Sequence, residues 1–195
     1  MSADEPILEG IVVTLDDAGR ANIAPMGPRV DRQVSRLVLR PFRTSQTYQN
    51  LKRSGCGVFH VIDDVELLAH AAVESLDPQP TLVKIDGFPC PRLADCCRWL
   101  AFRVDLLDDA SERTTIDCRV IQRGEVRPFF GFNRAKHAVL EAAIHATRIG
   151  IVPAETIRAD LSRLAVIVQK TAGDQERRAF AFLQTHIELQ LGHQT

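Results

Sequence analysis

The sequence predicts an α+β fold in which a β-rich domain is followed by a helical extension packed on it. Three observations carry this reading. Through the first two thirds, short β-branched and apolar runs are punctuated by Gly, Pro and Asp, which is how strands and their turns are written. Through the last third, apolar residues recur at helical spacing in three successive stretches. No internal repeat or low-complexity linker separates the two regions, so the boundary is drawn where the pattern changes, giving domains 1–130 and 131–195.

The elements follow in order. Residues 8–15 are extended, Asp16-Asp17-Ala18-Gly19 supplies a turn and residues 21–24 begin the return, a hairpin signature. Residues 34–39 form a further strand, which Pro41 stops. A short helix comes next, with Thr44 or Ser45 as its N-cap and Gly55 as its C-terminal stop. Residues 57–62 are apolar and extended. Asp63-Asp64 caps a second helix in which Val65, Leu68, Ala69, Ala72, Val73 and Leu76 recur at helical spacing until Pro78 and Pro80 break it. Residues 99–106 and 115–121 are strands, and Gly124 is expected to turn the chain back into residues 125–130. Helices are expected over 134–149, ended by Gly150, over 153–169, and from an Asp174 cap through Leu191.

Composition narrows the function classes. With 45% apolar and 25% charged residues and a net charge of -1, nothing calls for nucleic acid or an anionic membrane. The opening Met1-Ser2-Ala3-Asp4-Glu5-Pro6 is polar and acidic, unlike a signal peptide, and no apolar run approaches a membrane span. The five cysteines form no CxxC pair, so neither a disulfide framework nor a zinc ribbon is expected, and a reducing cytoplasm fits best. Cys96-Cys97 reads as a pair of small core residues, with a redox couple as the other reading.

Several enzyme classes lose their motifs. There is no G-x-G-x-x-G after a strand, no Walker loop, no G-x-S-x-G elbow and no H-E-x-x-H. His137 and His145 lie eight apart on one helix, too far for a metal pair, so no metal is expected.

Two segments remain. Arg40-Pro41-Phe42-Arg43 followed by the hydroxyl-rich Thr44-Ser45-Gln46-Thr47 supplies what an anionic phosphate needs: unsatisfied amides, the positive end of a helix, hydroxyl donors and a guanidinium. A plain helix cap with solvated arginines is the alternative. In Asn22-Ile23-Ala24-Pro25-Met26-Gly27, Pro25 removes an amide and Gly27 permits close approach, which shapes a loop for something flat, or makes a tight strand exit.

Asn22-Ile23-Ala24-Pro25 resembles the N-x-A-P signature of the flavin reductase-like FMN-binding split barrels, and Thr47-x-x-Asn50 with residues 55–61 is similar to their phosphate-side T-x-x-N and strand. The resemblance is closer to one branch, the family called domain of unknown function 447. It rests on Ala-Pro-Met-Gly, the Thr-Tyr-x-Asn-Leu helix, the Asp63-Asp64 helix start, and Phe132-Asn133-Arg134-Ala135 opening a helix with Glu141 and Ala146-Thr147-Arg148.

This resemblance implies a mainly antiparallel split β-barrel with a C-terminal helical subdomain, carrying FMN as a homodimer with the flavin near the subunit interface. Carried over residue by residue, Thr44, Ser45 and Thr47 would hold the phosphate with Arg40 or Arg43 as counter-charge, Asn22, Ala24, Pro25 and Met26 would meet the ring, and Asn50 would brace the cradle. His60 stands where flavin reductases often have asparagine. Relatives of the branch resemble companions of tetrahydromethanopterin-linked one-carbon enzymes. The implied function is a cytoplasmic FMN-dependent oxidoreductase of flavin-reductase type acting on a small-molecule substrate or electron donor, with a deazaflavin or pterin as other ligands. The alternative is a flavin- or ligand-binding dimeric module without turnover. Asn133 would cap its helix while Arg134 either forms a salt bridge or reaches a ligand from the second subunit.

Overall fold

The computed structural model describes residues 5–73 and 76–192. The opening four residues and positions 74 and 75, crossed by the helix expected from Val65 to Leu76, lie outside the described residues. Two compact units form. One runs up to Ile62 and resumes over Gln79–Phe129, and the other combines Asp63–Pro78 with the chain from Phe130 onward. Among the described residues no helix is long and apolar enough to cross a membrane.

The first unit is built on a seven-stranded sheet, every pairing of which is antiparallel, in the order β2-β1-β5-β8-β9-β4-β3. Its strands are β1 (Gly10–Leu15), β2 (Ala21–Met26), β3 (Arg29–Val30), β4 (Arg36–Leu39), β5 (Cys56–Val61), β8 (Arg98–Asp108) and β9 (Thr115–Glu125). A separate hairpin pairs β6 (Leu82–Ile85) with β7 (Phe88–Leu93). The curled sheet closes around one principal core in which Val12, Leu37, Leu39, Phe59, Phe102 and Ile116 meet Tyr48 and Leu51 from the helix α1 (Gln46–Ser54). This is the α+β split-barrel class that the sequence implied.

Local chemistry sets the elements around that core. The β1–β2 turn is fastened by Asp16, whose Oδ1 accepts from the amides of Ala18 (3.0 Å) and Arg20 (2.8 Å), and Gly19 takes the left-handed conformation there. The strand expected from residue 34 starts at Arg36 instead. Val34 has φ 51° within a turn that Asp31 holds by accepting from the Ser35 amide, and β3 precedes that turn. Ser45 is the N-cap of α1, its Oγ accepting from the Tyr48 amide at 3.2 Å, and Gly55 ends the helix at φ 65°.

Two further sequence expectations change. Gly124 does not turn the chain: it lies inside β9 opposite Trp99, and a Cβ there would sit 2.6 Å from the indole nitrogen. Glycine is required because the ring lies flat on the neighbouring strand. The β6–β7 hairpin also went unread, since Pro89 and Pro91 argue against a strand. They are tolerated because β7 belongs to a two-stranded ribbon, and Asp86-Gly87 makes its tight turn with Gly87 at φ 68°.

Among the described residues the second unit contains four helices: α2 (Val65–Ala72), α3 (Arg134–Ala146), α4 (Ala154–Thr171) and α5 (Asp174–Gly192). Asp64 caps α2 by accepting from Leu67, and Asn133 caps α3 by accepting from Ala135 and Lys136. Apolar stripes at helical spacing, Ala135, Val139 and Ala142 on α3 with Leu161, Leu164, Leu183 and Ile187 from α4 and α5, fill the interior. Lys136 ties three helices together, its Nζ donating to the Asp63 carbonyl at 2.7 Å and pairing with the nearly buried Glu176 at 2.8 Å. Arg178 forks onto Glu66, and His70 stacks on Phe182 with ring centroids 4.0 Å apart.

Candidate functional site

The site begins with strand β2, which is an edge: among the described residues it pairs with β1 alone. In an antiparallel ladder, bonded and non-bonded pairs alternate. The Asp16 amide donates to the Arg20 carbonyl at 2.9 Å, so with the observed register Asn22, Ala24 and Met26 turn their backbone groups toward β1. Ala21, Ile23 and Pro25 turn theirs to the open edge. Pro25, with no N–H, stands where the ladder loses nothing by it. Asn22 to Met26 are therefore strand rather than loop, and the close approach at Gly27 is made by the chain itself, where a Cβ would meet Glu9 and Ile7 at 2.7 Å.

Asn22 anchors this edge to α1. Its Nδ2 donates to Thr47 Oγ1 at 3.1 Å and to Thr14 Oγ1 at 3.3 Å. Asn50 donates to the same Thr14 hydroxyl at 3.0 Å and accepts from Gln46 Nε2 at 2.8 Å. Thr14, Thr47 and Asn50 are all buried. Such a group is stable because each member finds a partner, and it sets the spacing between the open strand edge and the first turn of the helix.

Of the ten residues singled out in the sequence, three, Asn22, Thr47 and Asn50, thus meet in one hydrogen-bonded group. Ser45 is occupied as the helix cap, its hydroxyl also donating to the Phe42 carbonyl at 2.8 Å. Arg40, Arg43 and Thr44 are exposed at the entry to α1. Ala24 and Pro25 are half-buried on β2, and Met26 packs against the principal core. Among the described residues, the first-turn amides of Gln46 and Thr47 have no protein acceptor, as the start of a helix dictates.

A cleft of about 570 Å³ opens beside this group, lined by Asp16, Arg20, Ala21, Asn22, Gln46, Gln79 and Leu82. Arg20 is paired with Asp16 at 2.7 Å, and the Asp16 carboxyl is held below its ordinary range first by the Arg20 amide and then by the guanidinium. On the far side of α1, Tyr48 and Lys52 both bond Asp109, at 2.6 and 2.7 Å, and the Asp109 carboxyl is lowered to about 2, chiefly by Lys52. That triad fastens the helix to the β8–β9 connection.

Thr14, Arg20, Gln79 and Leu82 were not singled out from the sequence. Thr14 reads there as one more β-branched residue of a strand, and Gln79 and Leu82 reach the cleft only through the hairpin that its prolines concealed. His60 turns away from ligand chemistry altogether. It is fully buried, Nδ1 meeting the Ile11 carbonyl at 3.2 Å and Nε2 accepting from the Leu93 amide at 3.0 Å, and burial lowers it to about 4. In the second unit Arg134 is exposed at the start of α3, and the Phe132 ring stacks on His137. Among the described residues no group of three metal-ligating side chains converges.

Comparison with known proteins fits this architecture. The N-terminal domain of a protein family of unknown function (DUF447) matches residues 8–127, and the C-terminal domain of the same family matches residues 133–185. An FMN-bound protein of that family from Methanosarcina mazei is similar in structure, with 26% identity over 93% of this chain and 95% of its own and a TM-score of 0.81. Flavoredoxin from Methanosarcina acetivorans shares 14% identity over 65% of this chain and 74% of its own, with a TM-score of 0.54. A 2-nitrobenzoate 2-nitroreductase from Pseudomonas fluorescens shares 15% over 64% and 66%, with a TM-score of 0.53. These last two share the fold. No curated protein matches the sequence.

Proposed function

The chain belongs to the DUF447 family, and from that membership we propose that it is an FMN-binding flavoprotein, an oxidoreductase of flavin-reductase type that works as a homodimer on a small molecule. The observation that carries this reading is the joining of an open strand edge to a helix start by the Asn22–Thr14–Thr47–Asn50 group. The donor set suits FMN. The ring's polar rim needs alternating donors and acceptors, which the outward backbone groups of Ala21 and Ile23 and the Pro25 carbonyl offer, with Ala24 and Met26 beside them. The phosphate needs free amides and positive charge, which Gln46 and Thr47 offer by their N–H groups, Thr44 by its hydroxyl and Arg40 and Arg43 by their guanidinium groups. A cleft of about 570 Å³ lies in the range of small-molecule sites, about 300–1,000 Å³.

In this reading Thr47 and Asn50 brace the cradle from inside, and Ser45 keeps the helix start in place. When bound, FMN supplies the electron-transfer chemistry itself. The residues of this chain hold it, orient its edge and limit water on the β2 side. The electron donor is a nicotinamide or a deazaflavin and the acceptor a small molecule, in the tetrahydromethanopterin-linked one-carbon setting that the family resemblance implies.

The test is a pair of titrations of the purified protein, with FMN and with riboflavin, followed by flavin fluorescence. FMN is expected to bind at least tenfold more tightly than riboflavin, about 1.4 kcal/mol for the phosphate contacts. Equal affinities would remove the phosphate site, and no binding of either would remove the flavin reading. Addition of NADPH or reduced deazaflavin to the loaded protein is expected to bleach the flavin absorbance. Bound FMN that neither donor reduces would identify a non-catalytic flavin-binding module.

A further inference from the structure

Cys56 and Cys90 stand apart from the flavin reading. Cys56 opens β5 immediately after the left-handed Gly55, and Cys90 lies at the middle of β7. Their sulfur atoms face each other at 3.8 Å within the smaller core that joins the β6–β7 hairpin to the main sheet, where Val58, Ile85, Phe88 and Ala101 surround them. Of the other cysteines, Cys96 Sγ meets the Leu93 carbonyl, Cys97 Sγ meets Arg127, and Cys118 Sγ meets the Ile116 carbonyl.

Two arginines stand near this pair. Arg103 is the cross-strand partner of Cys56, and its guanidinium lies 5.9 Å over the ring of Phe88. Arg53, three residues before Cys56, bonds the Leu15 carbonyl of the neighbouring strand. The Cys90 S–H bonded to it, then Ser54 and the two arginines, favour the thiolate at Cys56 against the opposing effect of burial, while the same neighbour raises Cys90. Both sulfurs are buried, and a thiol whose ionisation is favoured standing 3.8 Å from a second thiol is the pairing from which a disulfide can form.

We propose that Cys56 and Cys90 are a redox modification site that hydrogen peroxide oxidises to an intramolecular disulfide, stapling the β6–β7 hairpin to β5. Cys56 sulfur attacks one peroxide oxygen and the O–O bond breaks, the departing oxygen leaving as water after taking a proton. Cys90 sulfur then attacks the resulting sulfenic sulfur, the S–S bond forms as the S–O bond breaks, and a second water leaves with the Cys90 proton. Two electrons pass from the two thiols to one peroxide. Because β6 supplies Leu82 to the cleft, the staple restrains one wall of it. The cysteines are 34 residues apart in sequence, so the closed loop also restricts the unfolded chain.

The test uses the full chain without flavin, treated with a small excess of hydrogen peroxide under native conditions and digested with trypsin. Cleavage after Arg53, Lys84 and Arg92 separates Cys56 on residues 54–84 from Cys90 on residues 85–92 and from the other three cysteines. The expected product is a disulfide between those two peptides, lost on reduction with dithiothreitol, together with slower amide exchange over residues 82–93 of the oxidised protein. Cys90→Ala is expected to abolish the cross-link and leave a sulfenic acid at Cys56 that dimedone traps. A cross-link through Cys96, Cys97 or Cys118, over-oxidation of Cys56 to sulfinic acid in the wild type, or no change in either peptide would overturn the assignment.

Discussion

Replacing Thr14 with Val removes one hydroxyl and little volume, so it probes the polar group beneath the cleft. Thr14 is fully buried and its Oγ1 accepts from Asn50 at 3.0 Å and from Asn22 at 3.3 Å. Asn22 keeps its second bond to Thr47, so its loss is small, about 0.5 kcal/mol. Asn50 Nδ2 is buried and left without an acceptor, which costs about 1–3 kcal/mol. The added methyl returns about 0.8 kcal/mol of apolar burial. The net expectation is a destabilisation of about 2 kcal/mol. The protein has one tryptophan, Trp99 on β8, so urea unfolding followed by its fluorescence reports the barrel unit by itself. With a slope of about 2 kcal/mol per molar urea, the midpoint should fall by about 1 M at unchanged slope. In the double variant Thr14→Val with Asn50→Leu, the penalty of the unpaired amide disappears, and the double change should cost less than the sum of the single ones. A midpoint within 0.2 M of wild type, or strict additivity, would refute the cooperative role given to this group.

Other expectations follow the same physics. Gly124→Ala drives a methyl into the Trp99 indole and should cost about 1–3 kcal/mol while shifting the tryptophan emission, which urea unfolding and an emission spectrum would both register. His60 is neutral in the folded protein, lowered to about 4 from 6.5, so its contribution is fully present above pH 6.5 and is lost as pH falls toward 4. The drop is roughly 3 kcal/mol across that window. Urea midpoints measured from pH 7.5 to 4 should show it, and His60→Gln should flatten the slope in the same interval. Ser45→Ala removes the α1 cap and should destabilise the barrel by about 1 kcal/mol in the same unfolding assay, with Ser45→Asp recovering most of it. Arg43→Gln should weaken FMN but leave riboflavin binding unchanged, as read by the paired fluorescence titrations, because only the phosphate needs the charge.

Much of the fold was legible because local chemistry wrote it. Asp16 with Gly19 fixes a hairpin, Ser45 and Gly55 bracket a helix, and Asn133 starts another. The hairpin at residues 82–93 was hidden because its prolines speak against a strand, and only pairing as a separate ribbon makes them harmless. Gly124 misled for a related reason: glycine marks a turn or a close approach, and the Trp99 ring that decides between them comes from another strand.

The candidate site divides in the same way. From the sequence two segments could be singled out, since an N-x-A-P strand and a T-x-x-N helix start resemble those of the FMN-binding split barrels within a few residues. It could not say which of their side chains point inward. That was decided by sheet register, which pairs Asn22 with Thr14, and by helix packing, which turns Thr47 and Asn50 onto the same hydroxyl. Hydrogen bonds between residues 8, 25 and 36 positions apart leave no local trace in a sequence, because their partners are brought together by burial of the core and not by spacing along the chain.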